Sequence, residues 1–329
     1  MSQVQNNEVG VMRIFACGGG GINIASKFAG NMPLRAGIAD IRTVLVDTSR
    51  SNLHGLPADI EAFILPDLDG SGKVRSHNVE PIAKVIPRLL VQHEPGDLNL
   101  VVYTASGGTG SVAGPLLVDE LLARDCNVIS IVIGTEESDV AAENTFNTLK
   151  SLEAISNERQ KPVHVHYTLH SADVKRSEAD KEAIMAISSL AYLSSRQNDE
   201  LDSMDLYRWL HYHTVPRTNL DPQLTLLKVY ANADDVVEKS PETISLASLL
   251  KSRDEGHVRL RPAYGCVGYY RPGVEAPYNL FFASETAGLS EILNHLQKTA
   301  KDLSQHKAAR TSGPSFLANG DKVVGRLVL

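Results

Sequence analysis

Short apolar runs alternate with longer stretches of helical periodicity along the first half of the chain. Residues 12–16, 41–46, 98–104, 128–133 and 163–169 form the short runs. The run at 128–133, VISIVI, is apolar throughout, as a strand buried on both faces of a parallel sheet requires. Between the runs, residues 22–28, 78–93, 112–124 and 141–157 carry apolar positions at helical spacing, with Pro81 and Pro87 inside the second. This alternation predicts an α/β, doubly wound parallel sheet, with ligands at the C-terminal ends of its strands. A long helix is expected over 178–193, with Ala183, Ile184, Ile187, Leu190 and Ala191 on one face. The pattern then changes. Strands are expected at 224–230, 258–260, 266–270 and 278–282, and a helix near 241–250, which reads as a smaller α+β second domain. A helix over 289–306 closes the fold, and the tail ends in the apolar VVGRLVL. The expected divisions are residues 1–177 for the first domain, 178–200 for the connecting helix, 201–285 for the second domain, 286–310 for the C-terminal helix and 311–329 for the tail.

Composition narrows the class. The 329 residues are 43% hydrophobic and 22% charged, ordinary values for a folded globular chain of two domains. The net charge of −7 opposes non-specific attachment to nucleic acid or an anionic membrane. Cys17, Cys126 and Cys266 are odd in number and far apart, which argues against a disulfide framework and for a reducing compartment. The polar N-terminus lacks the apolar core of a signal peptide, and no apolar run reaches the ~18 residues that span a bilayer.

Two glycine clusters carry the candidate chemistry. Gly18, Gly19, Gly20 and Gly21 follow a strand and open a helix, the arrangement in which backbone N–H groups hold a phosphate. A tight strand–helix turn would look the same. So would a dinucleotide fold using Gly18, Gly20 and Asp47, although Asn23 stands where the third glycine of GxGxxG belongs. The second cluster is more informative. Gly107, Gly108, Thr109, Gly110 and Ser111 repeat the strand–loop–helix arrangement, which suggests a polyphosphate held between two helix N-termini. Gly70, Ser71, Gly72 and Lys73 imitate a P-loop but lack its first glycine and its closing Ser or Thr, leaving a solvated turn or a flexible loop placing Lys73 and Arg75 near a phosphate. His164 and His166 form an HxH pair with no third metal ligand at suitable spacing.

These loops together resemble the tubulin/FtsZ superfamily, and most of all its phage-encoded tubulins. SGGTGSV at 106–112 is similar to the GGGTGSG signature of tubulins, with Ser106 and Val112 replacing its outer glycines. The quadruple glycine with Ile22 and Asn23 resembles the first FtsZ nucleotide loop, and Asp47, Thr48 and Leu53 stand in the second. Asp139 and Glu143, four apart, resemble the ribose-contacting segment, and two acceptor carboxylates suit a vicinal diol. Asp180 matches an aspartate that contacts guanine in FtsZ, while His166 or His170 stands where relatives often have asparagine near the base. Asp202 and Asp205 in LDSMD resemble the catalytic loop presented to the neighbouring subunit, with Glu200 where FtsZ has asparagine; capping of the following helix is the plainer reading of that pair.

The resemblance implies a GTPase that binds GTP or GDP with Mg2+ and polymerises head-to-tail with itself. Asp202 and Asp205 would orient the water at the neighbour's phosphate, Asp205 more directly. It further implies a filament in the cytoplasm of an infected bacterium, with phage DNA or a DNA-bound adaptor as an indirect partner and no membrane partner. The apolar tail, unlike the acidic tail of some phage tubulins, is expected to serve assembly by burying surface. An NAD-dependent oxidoreductase and a non-hydrolysing nucleotide-binding scaffold are the competing readings.

Overall fold

The computed structural model describes residues 9–30, 34–56, 60–65, 75–216, 218–254, 256–274, 278–311, 323–324 and 327–328, with side chains as far as residue 305. The first half alternates as expected: β1 (Val11–Cys17), α1 (Gly18–Ala25), β2 (Asp40–Asp47), β3 (Glu61–Ile64), α2 (Arg75–Gln92), β4 (Leu98–Thr104), α3 (Gly110–Ala123), β5 (Val128–Thr135), α4 (Asp139–Arg159) and β6 (Val163–His170). Then come α5 (Arg176–Leu193), β7 (Asn198–Asp199), α6 (Ser203–Leu210), β8 (Leu224–Tyr230), α7 (Ala233–Lys239), β9 (Ser245–Leu250), β10 (Tyr264–Tyr270), β11 (Leu280–Glu285) and α8 (Leu289–Thr311). Two short strands, β12 (Val323–Val324) and β13 (Leu327–Val328), pair antiparallel in the tail.

One sheet organises the molecule, in the order β3-β2-β1-β4-β5-β6-β8-β11-β9-β10-β7. The strands from β3 to β6 are all parallel. The second half continues this sheet: β8 joins β6 in parallel, with Val163 opposite Leu224 and Val165 opposite Leu226. β11 then pairs antiparallel with both β8 and β9.

Successive side chains of a strand point to opposite faces, so a central strand needs apolar residues at every position. In β1, Met12, Ile14 and Ala16 enter one core with α1, α5 and α6, and Phe15 and Cys17 enter another with α2, α3, α4 and α8. A third, smaller core joins Val236 of α7 to Leu246, Leu250, Phe281 and Ala283.

Two expectations fail in the second half. Residues 241–250 do not form a helix; Ser245–Leu250 is β9, buried at every position between β10 and β11. A strand buried on both faces shows no alternation, and SLASLL then mimics helical spacing. The helix lies earlier, at α7, where the Asn232 side chain accepts from the Asp234 N–H. Residues 258–260 pair with no strand, although Val258 and Leu260 pack on the third core. The glycine loop at 70–73 and the tail between 312 and 322 lie outside the described residues.

Candidate functional site

The C-terminal ends of β1, β2 and β4 bring the predicted loops together. Gly18 leaves β1 directly into α1, and a Cβ placed on it would sit 3.0 Å from the Gly110 amide nitrogen, so the two glycine loops abut. The second strand's end locks them. Asp47 accepts from the Thr48 N–H at 2.7 Å and the Thr109 hydroxyl at 3.3 Å, and Thr48 and Thr109 share a hydroxyl hydrogen bond of 2.9 Å. The Asn52 amide donates to the other Asp47 oxygen at 2.7 Å, with Gly19 packed beside it. All of Asp47, Thr48 and Thr109 are buried. Both Asp47 oxygens thus serve as the internal clasp of the loops, which argues against the ribose role of a dinucleotide fold.

The helix ends define what this edge can bind. Side chains of Ser138, Asp202 and Asn232 close the N-termini of α4, α6 and α7. Neither α1 nor α3 has such a cap: Cys17 makes none, and the Thr109 hydroxyl is turned to Asp47 and Thr48. Burial pushes the Cys17 thiol well above its usual range, so it adds no negative charge. Helix N-termini lacking a side-chain cap present first-turn N–H groups and positive dipole ends, a setting for anionic oxygens. Gly107 and Gly108 lie in the turn leading into α3, and Ser111 is buried in its first turn.

Not every glycine here serves a ligand. A Cβ on Gly20 would fall 2.2 Å from Thr104 Cγ2, and one on Gly21 would fall 2.2 Å from the Val102 carbonyl oxygen. These two allow α1 to pack on β4. Gly21→Ala is expected to lower stability by about 1–3 kcal/mol through overpacking. An unchanged denaturation midpoint would show that α1 can lift from the sheet without cost.

The remaining predicted residues stand around this edge. Asn23 of α1 donates to Asp180 of α5 at 3.2 Å, bringing an amide and a carboxylate side by side. Asp139 and Glu143 lie on the first turns of α4, and Asn144 beside them donates to the Ser106 carbonyl at 3.2 Å, tying α4 to the second glycine loop. Arg75 is engaged with α4 through Thr148, Ser151 and the Asn144 carbonyl, rather than lying free beside the loops. His166 is buried, its Nδ1 3.1 Å from the Leu227 carbonyl oxygen, whereas His170 lies at the strand end 3.5 Å from Glu137. Asn52 and Asn144 were missed in the sequence: Asn52 closes on Asp47 in its own loop, and Asn144 meets Ser106 in a distant one.

Asp202 and Asp205 are elsewhere. The Gly10 N–H donates to the Ser195 carbonyl at 2.9 Å just before β1, so α5 ends at the N-terminal edge of the sheet. Asp202 shares a groove with Asp97 and Asn127, which precede β4 and β5, and with Arg196. Its carboxylate caps α6, accepting from the Met204 and Asp205 N–H groups at 2.8 and 2.9 Å, while Asp205 accepts from the Asp202 N–H at 3.2 Å. The capping reading of this pair is therefore correct as local structure. Asp202 is exposed and Asp205 half-buried, next to Arg196 and Glu200, two non-glycine residues at φ of 56° and 66°. Strained backbone of this kind concentrates at functional sites.

α5 thus runs from the glycine loops to the aspartate loop. Its 18 residues span about 27 Å. The glycine loops and the Asp202–Asp205 pair thus stand at opposite ends of this helix.

A parallel sheet with two abutting glycine loops, a long helix and an antiparallel extension is the arrangement of a tubulin-like fold. Comparison with known proteins narrows this. Residues 201–280 match the family model of the C-terminal domain of phage tubulin-like proteins. The chain is 28% identical over 295 residues to the phage tubulin-like protein of Pseudomonas phage PhiPA3, covering 88% of this chain and 90% of that one. It is 26% identical over 323 residues to that of Pseudomonas phage phiKZ, covering 94% and 95%. A TubZ protofilament from bacteriophage PhiKZ superposes with a TM-score of 0.83 at 27% identity, covering 97% of this chain and 99% of that one. The phage tubulin PhuZ with GDP superposes at 0.85 and 25% identity, covering 98% and 100%. Over nearly its whole length the chain is therefore similar to phage tubulin-like proteins.

Proposed function

We propose that this protein is a GTPase that assembles head-to-tail and completes each catalytic site with two subunits. One observation carries the reading: the two glycine loops and the Asp202–Asp205 pair occupy opposite edges of one sheet, at the two ends of α5. Stacking one subunit's aspartate edge on the next subunit's glycine edge joins the halves. Such a contact is heterologous and does not close, so repetition gives a filament. The relatives support this, since one is a TubZ protofilament and another carries GDP.

The glycine edge binds the nucleotide. Gly18–Gly21 and Gly107–Ser111 hold the phosphates through backbone N–H groups at α1 and α3. Asp139 and Glu143 face the ribose hydroxyls. Asn23 and Asp180 face the base, where a carboxylate accepts both N1–H and N2–H of guanine and finds no such pair on adenine. Among the described residues no three His, Cys, Asp or Glu groups gather to hold a metal, and the one carboxylate among these loops is the engaged Asp47. Mg2+ therefore fits here as an ion arriving with the phosphates, whose charge it neutralises. Asp202 and Asp205 of the adjoining subunit orient the attacking water and accept its proton.

Phosphate release from GTP at rising protein concentration tests the whole reading. Specific activity is expected to stay near zero below a threshold and to climb steeply above it. Constant specific activity at all concentrations would place the entire catalytic apparatus in one subunit and refute the split site.

A further inference from the structure

We propose that Tyr264 is a positioning residue for hydrolysis, fixing the Asp205 carboxylate in the orientation it presents to the neighbouring subunit. This rests on the split-site reading above. The Tyr264 hydroxyl donates to Asp205 Oδ1 at 2.7 Å, and the other oxygen, Oδ2, accepts from the Asp202 N–H at 3.2 Å. Without the phenol, a short side chain at a half-exposed helix start would keep several rotamers, with one long bond to restrain it. With it, each oxygen is fixed by one donor and keeps a second lone pair for water.

The donor is well founded. Tyr264 is the first residue of β10, opposite Ser245 of β9, inside the main sheet. Burial, followed by the hydrogen bond to Asp205, pushes its phenol well above the usual range, so it remains protonated and can only donate in this pair. Cys266 lies two residues along the same face, and burial raises its thiol too, so no competing anion lies beneath the carboxylates.

β10 also sets the rest of the loop. Asp199 pairs with Tyr269, and Arg271 donates to the Asp199 carboxylate at 3.3 Å. Gly268 lets Leu201 lie flat on the strand, since a Cβ there would meet Leu201 Cβ at 2.7 Å. One rigid strand therefore locates the segment at 199, at 201 and at 205. Catalytic groups gain from this kind of support because a displacement of about 1 Å can cost about a hundredfold in rate.

The test is the full-length Tyr264→Phe variant, with Asp205→Asn beside it. Phenylalanine keeps the ring and removes only the donor. Turnover per assembled subunit is expected to fall about tenfold. KM for GTP, the critical concentration and the melting temperature are expected to stay close to those of the unaltered protein. Adding Tyr264→Phe to Asp205→Asn is expected to slow residual turnover no further. If Asp205→Asn abolishes turnover while Tyr264→Phe leaves it intact, the positioning role is wrong and the split site stands. If the loss in Tyr264→Phe is matched by a rise in critical concentration, the tyrosine supports assembly and not the carboxylate. If Asp205→Asn itself retains full turnover, the split-site reading fails and the proposal falls with it.

Discussion

Asp205→Asn is expected to lower GTP turnover by about two to four orders of magnitude, the range typical of a lost acid–base group. GTP affinity is expected to remain nearly unchanged, because Asp205 lies at the aspartate edge and the nucleotide loops at the other. Filaments of the variant should therefore form and persist. A mixing experiment makes the argument sharper. Variant subunits loaded with labelled GTP are inert by themselves. Once unaltered subunits are added, label carried by the variant should be hydrolysed before nucleotide exchange redistributes it. Label that stays uncut until exchange would mean that each subunit cleaves its own GTP. Loss of GTP affinity in step with turnover would place Asp205 in its own subunit's nucleotide pocket.

Acid is expected to destabilise the fold strongly through two histidines behind α6. His164 of β6 lies 2.8 Å from the Leu210 carbonyl through Nε2 and 3.0 Å from both Thr225 Oγ1 and Ser284 Oγ through Nδ1, clamping the end of α6 to the sheet. His211, which ends α6, stacks on Tyr207 at 4.3 Å. Burial pushes His164 down to about 4. Burial, then the neighbouring His164, His213 and Lys161, pushes His211 down to about 3, with Asp125 opposing. The folded state therefore favours neutral imidazoles, whereas unfolded histidine takes up protons near pH 6.5. Stability is complete above that value and is lost progressively as pH falls toward the folded-state values. Between pH 7 and 5 the two groups together remove about 4 kcal/mol by linkage. Denaturation midpoints at the two pH values, with imidazole resonances followed by NMR, check this. Titration of either ring above pH 6 in the folded protein would show that it is not held neutral.

The first half of the fold was legible because its strands are central and apolar and its glycine loops punctuate them. β1, β2, β4, β5 and β6 fall at the expected places, each extended by a residue or two at most, apart from β4, which matches at both ends. The second half was harder. β9 carries no alternation because both of its faces are buried, and α7 is a short polar helix recognisable mainly by its Asn232 cap.

The candidate site divides similarly. Glycines following apolar runs can be read locally, and so can an Asp–x–x–Asp helix start. Tyr264 cannot, since its partner is 59 residues away and meets it only when β10 lies beside α6. Equally, Gly20 and Gly21 look like phosphate ligands in the sequence, but their own packing on β4 already requires glycine.

The placement of α5 has a consequence for any row built as proposed. In such a row each nucleotide would be cut by the subunit that covers it. A row of any length therefore keeps one nucleotide uncovered, always at the same end. That terminal subunit cannot fire until it is no longer terminal. The two ends would be chemically unlike by construction, and a subunit added at the uncovered end would start the timer of the one beneath it. A helix that separates two half-sites thus gives the polymer a direction and a record of the order in which its members arrived.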